Sequence, residues 1–143
     1  MATGIQRLVR RMLLEMLKAD SDLTALVPAA SINPDGEPSW PFIRLRSPVS
    51  RRLRATGVNG GLVAWDVHAF AGARKSGGST LETAEDHAGR IGGAIEAVLA
   101  DNWVTLEDGS ICHIEISDAQ LLEDGDPDHF HYFAQVNARV LAV

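Results

Sequence analysis

Few residues in this 143-residue chain have the type and spacing to do chemistry, and each group falls short of a site. Gly72-Ala73-Arg74-Lys75-Ser76-Gly77-Gly78-Ser79 has the outer glycine spacing and terminal serine of a phosphate-binding loop. It also lies between a predicted strand and a predicted helix, as such a loop should. However, Gly78 stands where the phosphate-contacting lysine belongs, and no second strand ends in a solitary Asp to hold magnesium. The expectation is a flexible strand-to-helix connection over 72–78, with nucleotide binding by Gly72–Ser79 as the enzymatic alternative.

His129 and His131 are two apart on a predicted strand and therefore share a face, with Asp126 and Asp128 close in sequence. A closed metal site needs three or four converging ligands. His68, His87 and His113 belong to other elements, so exposed or interfacial histidines are expected, and no metal or other cofactor. Cys112 and His113 are strand neighbours whose side chains leave opposite faces, which prevents a nucleophile–base pair. No serine lies in a Gly-x-Ser-x-Gly elbow. No enzyme is expected.

Arg44, Arg46, Arg51, Arg52 and Arg54 form the most distinctive electrostatic feature. They map to two predicted strands and their turn, on a face the apolar residues do not claim. They could contact nucleic-acid backbone, pair with carboxylates of a neighbouring copy, or simply be solvated. With only Trp40 and Phe42 nearby, stacking on single strands has little support.

The elements that would position these residues follow from hydrophobic period. Ile5, Leu8, Val9, Met12, Leu13, Met16 and Leu17 recur at helical spacing, with Thr3–Gln6 in the form of a capping box. A further turn around Asp22–Leu26 should stop at Val27-Pro28. Beyond the loop Asn33–Pro38 the period becomes two. Strands are predicted around Ile43–Leu45, Val49–Leu53 and Val63–Ala69, with Asn59-Gly60-Gly61 as a hairpin turn.

Ser79–Glu82 is a second capping-box candidate ahead of a helix with Leu81, Ala84, Ala88, Ile91, Ile95, Val98 and Leu99 on its apolar stripe. Gly89, Gly92 and Gly93 weaken that helix, which suggests close approach of another backbone. Strands near Ile111–Ser117 and Phe130–Val140 finish the chain. The order α–β–β–β–α–β–β predicts an α+β domain over residues 1–143: a mostly antiparallel sheet of about five strands with two helices packed on one face.

Composition is that of an ordinary globular domain, 45% apolar and 22% charged. The single cysteine leaves no intrachain disulfide and suits a reducing compartment. Arginines interrupt the apolar positions of residues 1–17, so neither a signal peptide nor a membrane span is expected there. The net charge of −6 is unevenly spread. Residues 1–75 hold 11 Lys/Arg against 6 Asp/Glu (+5), and residues 76–143 hold 2 against 13 (−11). An acidic chain is a poor general binder of phosphate backbone. Opposite charge on two regions suits head-to-tail contact between copies, which favours the second reading of the arginines.

In order and spacing the chain resembles the phage tail-completion family, which includes the tail terminators of long-tailed phages, prophages and gene transfer agents. The resemblance is carried by three stretches. The first is Leu17–Val27 with Trp40-Pro41-Phe42-Ile43-Arg44-Leu45. The second is Ala64-Trp65-Asp66-Val67-His68-Ala69-Phe70 with the helix over Glu82–Leu99, and the third is Leu121–Phe133 with its acidic loop and aromatic strand. It implies a virion structural protein of the tail or neck, assembled in the host cytoplasm. It also implies a ring of six copies that caps the tail tube and joins it to the head connector or stopper protein. DNA would pass through the lumen unread, and the family offers no catalytic residues to carry over.

Overall fold

A computed structural model describes residues 4–55 and 58–141, with the side chains of 54–59 outside the described set. The first helix, α1 (Ile5–Ala19), buries Val9, Met12, Leu13 and Leu17. Its N-cap is Gly4 at φ 81° with no side-chain cap hydrogen bond; the expected Thr3–Gln6 box begins at Thr3, which lies outside the described residues. A short helix α2 (Ser21–Leu26) follows; its N-cap Asp20 accepts a hydrogen bond from Leu23 N at 2.9 Å, and Leu23 is buried beneath it.

Five strands form one antiparallel sheet in the order β1-β2-β7-β6-β5. They are β1 (Phe42–Ala55), β2 (Val58–Gly72), β5 (Asn102–Thr105), β6 (Ile111–Asp126) and β7 (His129–Leu141). Two short strands, β3 (Arg74–Ser76) and β4 (Ser79–Glu82), pair separately. The third helix is α3 (Ala84–Leu99).

Alternation decides which face is dry. Val63, Trp65, Val67 and Ala69 of β2 are buried together with Tyr132, Ala134, Val136, Ala138 and Val140 of β7. They meet Val9, Leu13 and Leu17 of α1 and Ile91, Ile95 and Leu99 of α3 in one core. At about 25 cal/mol per Å² of apolar surface, each of the Val, Leu and Ile side chains among these contributes about 1.5–3 kcal/mol on burial. The other face of the sheet has no helix over it among the described residues.

Several boundaries differ from the sequence reading for physical reasons. Residues 42–55 form one strand, not two. A register shift between Arg46 and Val49, with Ser47 at φ 54° ahead of Pro48, absorbs one extra residue as a bulge. Asn59-Gly60-Gly61 is not the turn; all three pair within the β1–β2 ladder, whose tip lies between Ala55 and Val58. A Cβ at Gly60 would strike the Val140 carbonyl oxygen, so this glycine serves close strand approach.

Ser79–Glu82 is strand rather than helix cap. The cap of α3 is Thr83, whose hydroxyl accepts from Asp86 N at 3.2 Å. The acidic loop expected at the start of the Leu121–Phe133 stretch is largely the outer end of β6, and β5 went unpredicted.

Candidate assembly surface

The bulge in β1 splits the arginine run. Before it, Arg44 and Arg46 point with Phe42 to the open face of the sheet; after it, Arg51 stays on that face while Arg52 turns to the helix side. The expected single arginine face is therefore two. Arg44 is already engaged: its guanidinium donates to Pro34 O at 2.7 Å and Gly36 O at 3.1 Å and lies 5.8 Å from the Phe42 ring centroid. It anchors the 33–38 loop. Arg46, Arg51 and Arg52 are exposed and make no ion pair among the described residues. Arg54 pairs with Asn59 in the backbone ladder, and its side chain lies outside the described residues.

The open face has an aromatic end and a polar end. At the first, Phe42 stacks on Phe70 with centroids 4.7 Å apart, Trp40 packs edge-on against both, and His131 stacks on Phe70 at 4.9 Å. His68 lies 5.3 Å from His131 and 5.0 Å from Phe133. Burial lowers the His68 pKa below its ordinary value, and the neighbouring His131 lowers it further; Asp66 opposes the shift. These rings come from separate strands, which is why sequence inspection found only Trp40 and Phe42. The polar end is a shallow trough with Arg51 and Arg139 facing Glu115, Asp118, Gln135 and Asn137.

The histidine pair occupies one face as expected but does not converge. His129 Nδ1 is 3.4 Å from Asp126 and His131 Nδ1 is 3.9 Å from Asp124. A cluster the sequence did not suggest brings Asp101, His113 and Glu115 within 4.8 Å of one another. Asp101 faces the Nε2 of His113 at 2.8 Å, and Glu115 faces the other ring nitrogen at 3.7 Å. A single ion can use only one of those nitrogens, so the arrangement clamps an imidazole rather than outlining a metal centre. Trp103 covers that ring at 4.4 Å.

Cys112 is fully buried and His113 faces outward, so they part as alternation requires. Burial pushes the Cys112 thiol up to about 12, which leaves it a core side chain and not a nucleophile.

The supposed phosphate loop is an ordered hairpin. Gly77 and Gly78, at φ 56° and 83°, form the two-residue turn between β3 and β4. Arg90 of α3 grips Glu82 through two bonds of 2.8 and 2.9 Å, Arg74 adds a contact at 3.4 Å, and Lys75 reaches Asp128 at 3.0 Å. Hydrogen bonding from Arg90 holds the Glu82 carboxyl below the usual range. Strand pairing, not a phosphate cradle, organises these amides.

A model of the family described as tail completion protein gp17 matches residues 11–141. The chain belongs to that family. It is a virion structural protein of the phage tail. Its fold is shared by a chain in the virion of a native gene transfer agent particle, 14% identical, with a TM-score of 0.76 over 99% of this chain and 100% of that one. No curated protein matches it. Among the described residues, no helix of this tail completion protein is long and apolar enough to cross a membrane.

Proposed function

We propose that this tail completion protein is the subunit of a tail-terminator ring. Six copies close the head-proximal end of the tail tube and join it to the head connector or stopper protein, with DNA passing through the lumen unread. Residues 1–143 act as one domain with a structural and not a catalytic role. The observation that carries this reading is the family match across residues 11–141. Two features agree with it. One sheet face and its flanking strand edges are left for partners, and exposed arginines lie far along the strands from an acidic hairpin. Of the predicted contact residues, Arg46, Arg51 and Arg52 are available to a neighbour, whereas Arg44 is spent on its own loop.

The competing reading, a nucleotide-binding domain built on Gly72–Ser79, loses its premise in the β3–β4 hairpin. Mixing the purified chain with tail tubes assembled from the neighbouring tube gene, followed by electron microscopy, tests the proposal. Rings at one tube end support it; tubes that never acquire this chain refute it.

A further inference from the structure

We propose that neighbouring copies join end to end. A basic pole of Arg7, Arg10, Arg51 and Arg52 on one copy receives the acidic β6–β7 hairpin tip of the next, presented by Glu123, Asp124 and Asp126. This rests on the ring reading above and names the two surfaces that would close the ring.

The sheet turns the charge imbalance of the sequence into spatial poles. Gln6 Nε2 donates to Ser50 Oγ at 3.0 Å, which ties the start of α1 to the second half of β1. Arg7 and Arg10 thereby join Arg51 and Arg52 at the end of the sheet where Gly60 pairs with Leu141. None of these four makes an ion pair among the described residues, whereas Arg11 beside them is satisfied by Glu107 at 2.9 Å.

The acidic tip lies at the other end, where Gly72 pairs with His129. Glu123, Asp124 and Asp126 are exposed there. Asp128 is taken by Lys75, but the nearest basic groups to Asp124 and Asp126 are His131 and His129 at 3.9 and 3.4 Å.

The thirteen residues of β7 separate the poles by about 40 Å at about 3.3 Å per residue. That is several times the screening length of about 8 Å at physiological salt, so the poles cannot neutralise each other within one copy. Complementary surfaces at opposite ends of a subunit make heterologous contacts, which close into rings when the rotation permits. A nucleic acid fits this basic pole less well, since the chain as a whole has a net charge of −6.

The test uses full-length protein with its tail tube, scored by native mass spectrometry and electron microscopy at several salt concentrations. One variant reverses the basic pole (Arg7→Glu, Arg51→Glu, Arg52→Glu); the other reverses the acidic tip (Glu123→Lys, Asp124→Lys, Asp126→Lys). Each alone should lose ring formation by at least tenfold. An equimolar mixture should recover it, in rings that alternate the two variants. Amide versions (Arg→Gln, Glu→Gln, Asp→Asn) give intermediate losses and cover any folding defect, which circular dichroism reports.

Wild-type rings together with normal rings from both reversed variants would overturn the end-to-end contact and leave the ring reading standing. Normal rings that fail only in DNA retention would assign the basic pole to nucleic acid and likewise overturn it. Absence of wild-type rings would overturn the ring reading itself.

Discussion

Gly92 on α3 presses its bare α-carbon against the ring of Tyr132 on β7. A Cβ built there would come within 2.7 Å of the Tyr132 Cγ. The next residue, Gly93, is exposed and faces open space. Helix propensity opposes glycine at both positions, yet only the first has a packing reason.

Gly92→Ala should therefore overpack the helix–sheet seam. The strain of about 1–3 kcal/mol outweighs the propensity gain of up to about 1 kcal/mol, leaving a net loss of up to about 3 kcal/mol. Gly93→Ala should gain up to about 1 kcal/mol. Urea unfolding of the two variants beside wild type checks the sign of each.

The hairpin anchor predicts a pH dependence. The Glu82 carboxyl sits below its ordinary value because Arg90 bonds to it. Its contribution is therefore complete above the usual carboxylate range and is lost as pH falls through the depressed folded value. Amide exchange in β3–β4 should accelerate on acidification in wild type. In Glu82→Gln it should be fast already at neutral pH, while the core strands stay protected.

His68 gives the opposite residue type and the same sign of slope. Its folded pKa lies below 6.5, so the unfolded chain binds the proton first and stability declines as pH falls below 6.5. His68→Phe, which keeps an aromatic ring beside Phe70 and Phe133, should flatten that decline. Denaturant midpoints between pH 7.5 and 5.5 measure it, and an unchanged slope would show that His68 is not its source.

The Gly72–Ser79 hairpin should bind no nucleotide. Calorimetry with ATP or GTP, with and without magnesium, is expected to show no saturable heat. A micromolar dissociation constant abolished by Ser79→Ala would contradict this.

What the sequence revealed tracks how strongly burial constrains a residue. Alternation at Val63–Ala69 and Phe130–Val140 fixed the inward face of the sheet, because a one-residue slip there would expose the whole core. The same logic fails for residues 117–126 of β6, which are almost wholly exposed and show no period. It fails too for β5, four residues long at a sheet edge. The bulge at Ser47-Pro48 was hidden because an extra residue preserves composition while exchanging faces, which puts Arg51 rather than Arg52 on the face of Arg44 and Arg46. The aromatic end of the open face was invisible for another reason: Trp40, Phe42, Phe70 and His131 meet only through long-range pairing.

Cryo-electron microscopy of intact tails from particles encoding this chain, with its copy number counted per tail, shows directly whether it forms a terminator ring. Six copies are expected in one ring at the head-proximal end of the tube, with this fold fitting each density. Purified tails that lack the chain, together with a protein that stays monomeric when tail tube is present, would contradict it.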